Sequence, residues 1–444
     1  MSQKIIIVGA GPAGLFAALE LTKDADHPEV TIIEQGPSLE SRPRTETMIG
    51  VGGSGTFSDG KLHFTPVLSH EKLFDLYSLE EYQTFLDYSE KLFLDYGVTA
   101  PNTPENLAEA DEIVEQCHQQ GIKLYIRRCR HVGSDMLPGV VKNMVDELEK
   151  RGVKFICQTK IDQIVAKYKK IISIKSGNQN FTADSFLIAP GRIGAIWFQN
   201  QAKILGLNYK YQEVEIGVRV EFPATVMEKH SKIMHENIYS IQTPTFGDTV
   251  RTFCPCPNGF VAIENYQDFL CVNGHSNTNT FSSNSNFNFT VPVTLTEPTG
   301  NTSVYAANIA KLTNLLGDNK PLLQRLGDLK SGHRSTWEKI NNNLFKPTLT
   351  NVTPGDISLA LPHRLVTDII EGLDILNRVL PGINSDSTLL YAPEVKLRGN
   401  RVTINRQLQT EIPNLFVAGD GVGASGNIVG AAISGIMAAR GMII

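Results

Sequence analysis

Lys4–Gly14 reads KIIIVGAGPAG, and this stretch decides the fold. Ile5, Ile6, Ile7 and Val8 are apolar and β-branched without alternation, which predicts a central parallel strand covered by helices on both faces. The run ends in glycines at the first, third and sixth positions. Gly9 permits a tight turn, Gly11 leaves room for a phosphate against the backbone, and Gly14 lets the next helix pack close to the strand. That helix, AGLFAALELTKD, turns its N-terminal amides toward the negative charge. A second apolar strand, Val30 to Ile33, leads into Glu34, about twenty residues beyond Gly14, where a carboxylate can accept hydrogen bonds from a ribose diol. Strand, glycines, helix, strand and acid in this order predict a dinucleotide site rather than an ordinary glycine turn.

Composition narrows the classes further. A chain of 444 residues is long enough for two or three domains. A net charge of −5 and a pI near 6.1 leave no basic footprint for nucleic acid or for a membrane surface. No apolar run reaches transmembrane length, and a strand beginning at residue 4 leaves no room for a signal peptide, so a cytoplasmic protein is expected. Cys117, Cys129, Cys157, Cys254, Cys256 and Cys271 lack the CxxC pairing of a zinc site, and no structural metal is expected.

Met48 to Leu62, MIGVGGSGTFSDGKL, is a loop with so little side chain that it can approach a ligand closely, Lys61 bringing one positive charge to it. From Glu71 to Gln120, apolar residues at helical spacing (Leu73, Leu76, Phe85, Leu86, Leu92, Phe93) predict a small helical insertion. KLYIRR, MLPGVVKNMVDELEKRG and VKFICQT read as strand, helix and strand, so the α/β alternation resumes between Lys123 and Thr159. Short strands follow, with a turn at Ser176-Gly177-Asn178 and a buried strand running into Pro190-Gly191 that returns to the first domain. Val214 to Phe222, VEIGVRVEF, alternates like a half-buried strand and opens a different region, in which NGHSNTNTFSSNSNFNF reads as loops or a polar-faced strand pair. Ser303 to Leu316 and His363 to Val379 carry helical periodicity, and the middle third is expected to be a mixed α+β domain capping a substrate.

The C-terminal segment, IPNLFVAGDGVGASGNIVGAAISGIMAARG, gives a buried strand (Leu415 to Ala418), then Gly419-Asp420, a glycine-rich turn and a helix of small residues. An acid at the end of a strand, followed by a helix N-terminus, can hold a polyhydroxyl chain with one group and a developing negative charge with the other. A flavin's ribityl chain and pyrimidine edge have these requirements.

Together these residues resemble the FAD-dependent oxidoreductases of the glutathione-reductase-like fold. The chain is also similar, over nearly its whole length, to the FAD-dependent dehydrogenases called NAD(FAD)-utilising dehydrogenases. The similarity runs through Gly50 to Leu62, His131-Val132-Gly133-Ser134-Asp135, Gly217-Val218-Arg219-Val220-Glu221, Cys254-Pro255-Cys256-Pro257-Asn258-Gly259 and Gly419 to Gly441. The chain departs from the family pattern at Pro190, Pro255 and Asn258. The resemblance implies an α/β protein: a discontinuous Rossmann-like FAD-binding domain (1–205 and 386–444, with the helical insertion at about 66–120) and an inserted α+β substrate or cap domain (206–385). It places Gly9, Gly11, Pro12, Ala13 and Gly14 at the FAD pyrophosphate, Glu34 and Gln35 at the adenosine ribose, and Gly53, Ser54, Gly55 and Thr56 at the pyrophosphate and flavin edge. Ile161, Ala189, Gly191, Gly419 and Gly426 join them, Asp420 holds the ribityl chain or pyrophosphate, and Asn427 and Ile428 meet the flavin pyrimidine.

The activity so implied is an oxidoreductase that passes a hydride between flavin N5 and a small organic substrate, with NAD(P)H or another electron donor as a candidate partner. The alternatives are a flavin monooxygenase and a non-catalytic carrier or escort on the same fold. No second GxGxxG occurs in mid-chain for a nicotinamide domain. Lys61, Cys254 and Cys256 are the candidate catalytic residues. Residues two apart in a strand share a face, so both sulfurs are expected to look into one cavity. They are either small buried hydrophobes or include one thiol over the flavin with a lowered pKa. In the second case Cys256 is favoured, because the Pro-Asn-Gly turn after it offers amides to a thiolate.

Overall fold

The structure is a computed structural model and describes residues 2–66, 68, 73–296, 300–397 and 401–443. Lys4–Val8 is the middle strand of a five-stranded parallel sheet, ordered Leu415–Val417, Ser185–Ile188, Lys4–Val8, Glu29–Ile33, Lys154–Ile156. Its unbroken apolar run follows from cover on both sides. Ile5 and Ile7 pack with the helices Pro12–Leu21, Leu137–Lys150 and Ile428–Met442. Ile6 and Val8 pack with Phe198 and Ala202 of the helix Ala195–Leu205 and with Ile164, Ile171 and Ile174 of a three-stranded antiparallel meander. The expected helical insertion contains Leu79–Asp95, opened by a Ser78/Glu81 capping box, and Leu107–Gln119, capped by Asn106. Glu71, where that insertion was to begin, lies outside the described residues.

The second sheet has eight strands, ordered Thr353–Pro354, Leu322–Arg325, Leu389–Lys396, Val214–Pro223, Asn284–Val293, Thr249–Cys256, Asn237–Gln242, Lys123–Ile126. All neighbouring pairs are antiparallel except Leu322–Arg325 with Thr353–Pro354. Val214–Pro223 sits at its centre and its alternation is real, but both faces are buried. Val214, Ile216, Val218, Val220 and Phe222 join the apolar core under the helices Thr302–Leu316 and His363–Leu376. Glu215, Arg219 and Glu221 occupy the other face and are paired there: Glu215 with Arg251, Arg219 with Glu394, and Glu221 with Tyr391, Thr348 and Asn284. The Asn/Ser-laden stretch, read as loops or a polar-faced strand pair, falls instead on two strands of different sheets, Leu270–His275, which pairs with Phe260–Asn265, and Asn284–Val293 of the second sheet; Asn286 and Asn288 are fully buried, because the polar face of this sheet is interior.

Two strands lie elsewhere than the sequence places them. Lys123–Ile126, read as part of the first domain, pairs antiparallel with Asn237–Ser240 at the edge of the second sheet. Leu389–Lys396, beyond the expected boundary at 385, pairs with the central Val214–Pro223. Pairing partner, not periodicity, decides sheet membership, and a short apolar strand carries no mark of its partner.

The helices Pro12–Leu21 and Ile428–Met442 approach closely enough that a Cβ on Gly435 would stand 2.0 Å from the Ala13 carbonyl oxygen. We expect Gly435→Val to lower stability by roughly 1–3 kcal/mol in urea unfolding, through overpacking against a backbone that cannot move aside. Gly139→Ala, facing open space in the helix Leu137–Lys150, is expected to raise it by about 0.5–1 kcal/mol.

Candidate functional site

The first glycine turn and the Gly/Ser-rich loop face each other with almost no side chain between them. Gly9 has φ +102°, and a Cβ there would lie 2.1 Å from the Ala189 carbonyl oxygen, so only glycine fits. Gly11 is different: a Cβ on it would find nothing closer than Gly53 Cα at 3.8 Å. The gap between them is walled by two backbones, and the helix Pro12–Leu21 opens onto it with no side-chain cap on its amides. The helix Ala195–Leu205, also uncapped by a side chain, begins beside the same cleft at Gly194, and Ile428–Met442 begins there at Asn427, whose side chain caps Gly430 N–H.

Two charged side chains hold this cradle. Glu34 Oε2 accepts from Ala10 N–H at 2.9 Å, and Oε1 accepts from Gly36 N–H at 2.9 Å and Gly50 N–H at 3.0 Å. It therefore ties the first turn to the second loop and still has lone-pair capacity for hydroxyl donors. Arg42, buried over the Phe57 ring, donates from Nη1 to the carbonyls of Val51 at 3.0 Å and Gly53 at 2.9 Å, and from Nε to Glu46 at 2.9 Å. Burial lowers its guanidinium to about 10. Nothing in the sequence pointed to Arg42; a lone arginine in a loop has no period or motif to mark it. On the opposite wall Asp420 receives the Ser425 hydroxyl and pairs with Arg192, whose Nε lies 3.1 Å away.

These elements border one continuous cleft. Of the sequence-expected cofactor residues, Gly9, Gly11, Pro12, Ala13, Glu34, Gln35, Gly53, Ser54, Gly55, Ile161, Ala189, Gly191, Gly419, Asp420, Gly426, Asn427 and Ile428 line it. Gly14 and Thr56 do not. Gly14 is pressed against the Gly9 carbonyl, where a Cβ would stand at 2.0 Å, and Thr56 is buried beneath its own loop beside Gly52. Side-chain-free walls, helix N-termini and a buried carboxylate at the far end fit a pyrophosphate, a ribose and a polyhydroxyl chain in sequence, the demands of FAD.

Beyond Gly55 the cleft wall continues through Ser58, Asp59, Lys61 and His63, and from the second domain come Cys254, Glu264, Asn273 and Lys396. Lys61 does not offer a free charge. Its ammonium is fully buried, ion-paired with Glu236 and with Asp59 at 3.1 Å, and donates to the Pro255 carbonyl at 2.7 Å. Burial pulls it down, but Asp59 and Glu236 outweigh that and hold it above the ordinary lysine range. Glu236, from the opposite domain, also faces His63 and Arg127, each at 3.3 Å. Burial opposes its ionisation, yet Lys61, His63 and Arg127 keep it well below the usual carboxylate range. The sequence reading missed Asp59 and His63, which flank Lys61 two residues to either side, and Arg127 and Glu236, which are far away in the chain and reach it only through the packing of the two domains.

The two cysteines do not share a cavity. A register shift between Phe253 and Cys256 bulges the strand, and Cys254 takes φ +46°, so the two-residue rule fails here. Cys254 lines the cleft, whereas Cys256 is fully buried with its sulfur 3.2 Å from Arg219 Nη2. The amides expected to stabilise a thiolate are engaged: Asn258 N–H donates to Ser285 and Gly259 N–H to the Cys256 carbonyl. Burial raises both thiols, Cys254 to about 11 and Cys256 to about 12, so each is protonated at neutral pH. We expect iodoacetamide to leave both unmodified in the folded protein near pH 7, mass spectrometry of the intact chain being the readout.

The glycines separate folding from cofactor binding. We expect Gly11→Val to keep the fold, by circular dichroism and urea unfolding, and to lose the bound cofactor. Gly9→Val should lose both.

Residues 7–78 match the family described as NAD(P)-binding Rossmann-like domain, and residues 213–397 match FAD-dependent protein, C-terminal domain-like. An uncharacterized protein of Clostridium beijerinckii is 25% identical, with 99% of this chain and 80% of that protein covered. Solved structures similar to the chain include glycine oxidase from Bacillus cereus (11% identity, TM-score 0.43, 99% of this chain and 94% of that one). They also include pyridoxine 4-oxidase from Mesorbium loti (11% identity, TM-score 0.45, 99% of this chain and 98% of that one). With a match to a Rossmann-like unit at one end of the cleft and a match to the C-terminal domain of FAD-dependent proteins at the other, FAD is the cofactor of this chain.

Proposed function

We propose that the protein is a dehydrogenase or reductase in which a small organic substrate enters from the second domain and exchanges a hydride with the flavin N5. The observation that carries this reading is the continuity of the cleft, from the glycine cradle at Gly11 and Gly53 to Glu264 and Asn273 of the hairpin Phe260–Asn265 and Leu270–His275 and to Lys396 of the second sheet. FAD supplies the two-electron chemistry. In this reading the backbone around Gly11 and Gly53 holds the pyrophosphate, Glu34 the adenosine ribose, Asp420 the ribityl chain, and the start of the last helix, Asn427 and Ile428, the flavin pyrimidine.

The substrate end is polar and carries both signs of charge. Lys396 lies 3.3 Å from Glu394, itself shared with Arg219, while Glu264 accepts from Asn273 Nδ2 at 2.7 Å. Cys254 contributes a neutral thiol surface between them. Such a wall favours a hydrogen-bonding metabolite over a lipid.

The test is anaerobic photoreduction of the purified protein followed by a screen of organic acceptors. One FAD per chain, bleached and then restored by an acceptor, is the expected result, and a flavin that no acceptor restores would overturn the hydride reading. Among the described residues the only all-parallel sheet of three or more strands is the one built on Lys4–Val8, so a nicotinamide must enter by the substrate route. We therefore expect NADH and NADPH to reduce the flavin well below ~10 s⁻¹ in stopped-flow traces.

A further inference from the structure

Among the described residues His63 is the one imidazole on the cleft wall, and the mechanism so far gives it no task. It follows Lys61 on the strand Lys61–His63, is about nine-tenths buried, and its Nε2 lies 3.3 Å from Glu236 Oε1. Neither ring nitrogen makes a hydrogen bond among the described residues; Nε2 has Glu236 within ion-pair distance, and Nδ1 has no such neighbour. A buried polar atom without a partner costs free energy, and a cleft that receives a ligand is where such an atom finds one. Glu236 lies on the Nε2 side of the ring at 3.3 Å, and a carboxylate on that side favours the proton there and leaves Nδ1 with its lone pair.

We propose that His63 Nδ1 accepts the proton released when a substrate alcohol or amine is oxidised, with Glu236 as the positioning residue; this rests on the hydride-transfer reading above. The step balances. The O–H or N–H bond of the substrate breaks and an N–H bond forms on His63, the adjacent carbon loses its hydrogen with the electron pair to FAD, and a carbon–heteroatom double bond results. The charges facing His63 suit it to accept. Burial first, then Arg127 and Lys61, hold the imidazole below its ordinary 6.5 against the opposing pull of Glu236, so it is unprotonated at neutral pH. Asp59 balances Lys61 from the preceding loop, and the neutral Cys129 lies opposite His63 in the strand pair. The negative charge gained by the reduced cofactor then favours the imidazolium, so the proton stays on His63 until the cofactor is reoxidised.

This proton uptake is measurable without a known substrate. The midpoint potential of the FAD-loaded protein is followed from about pH 5 to 8 by dithionite titration against redox dyes, in wild type and in His63→Gln. Each proton taken up with the two electrons changes the equilibrium tenfold per pH unit, about 30 mV. The flavin's own protons are common to both proteins. Wild type is expected to show one further proton than His63→Gln across part of this range, and Glu236→Gln to shift that range. Equal slopes in wild type and His63→Gln overturn the proposal. If His63→Gln fails to hold FAD, the imidazole resonances of wild type, oxidised and photoreduced, decide instead: a His63 that stays neutral on reduction overturns it. A protein whose FAD does not reduce reversibly at all refutes the hydride-transfer reading rather than the role of His63.

Discussion

Two neighbouring carbonyls hold the molecule's halves in register. Arg219, from the central strand of the second sheet, donates to the Cys254 carbonyl at 2.7 Å, and Lys61, from the Rossmann side of the cleft, donates to the Pro255 carbonyl at 2.7 Å. Each cation is fully buried and each has its own counter-charge, Glu394 for Arg219, and Glu236 with Asp59 for Lys61. Buried ion pairs of this kind contribute little net stability compared with apolar packing, but leaving one partner unpaired costs about 3–5 kcal/mol. Displacing either half by a bond length would unpair several charges together. The seam therefore acts on placement, and its two carbonyls lie within the bulge that turns Cys254 toward the cleft.

The cofactor end follows the same logic with a different material. Glycine loops cannot hold themselves, because they lose more chain entropy on ordering than any other sequence. Glu34 gathers three amides and Arg42 gathers carbonyls of the facing loop, so a carboxylate and a guanidinium supply the rigidity that the missing side chains cannot. Glu34 is thus a clamp within the fold, a task that the sequence pattern does not mark.

The cofactor half was legible because its requirements are local. Glycine spacing, an unbroken apolar strand and an acid at a fixed distance all lie within some thirty residues, and Lys4–Val8, Pro12–Leu21 and Glu29–Ile33 stand where the pattern put them. The second domain was legible as alternation but not as burial. VEIGVRVEF and the Asn/Ser strand alternate in period two, and a polar alternate face normally means solvent; here Arg219, Asn286 and Asn288 turn inward onto one another. The charged cluster was legible only in part: Asp59, Lys61 and His63 alternate along one short stretch and Lys61 stood out there, but Arg127 and Glu236 lie far away in the chain and join them only through the docking of the two domains. The Cys254/Cys256 expectation failed for a related reason: a bulge is an insertion relative to a partner strand, and one strand's sequence does not contain its partner.

The second sheet makes core and site wall from the same strands. Val218 and Val220 pack under the helices, while Arg219 between them reaches through the space left by Gly274, where a Cβ would stand 1.9 Å from its Nη2. A slip of one residue would drive Arg219 and Glu221 into the apolar core and the valines into the polar wall, so the register that folds the domain also aims its charges. Chemistry at the cleft is for that reason tied to stability along Val214–Pro223 and Leu389–Lys396, where a change of one residue is felt on both faces. The hairpin Phe260–Asn265 and Leu270–His275 is bound differently. It pairs with itself, lies over the polar face, and sends Glu264 and Asn273 into the cleft from positions that the helix-packed core does not share. Glu264 and Asn273 can therefore change without entering the apolar core, whereas Gly274 of the same hairpin is fixed by the approach of Arg219.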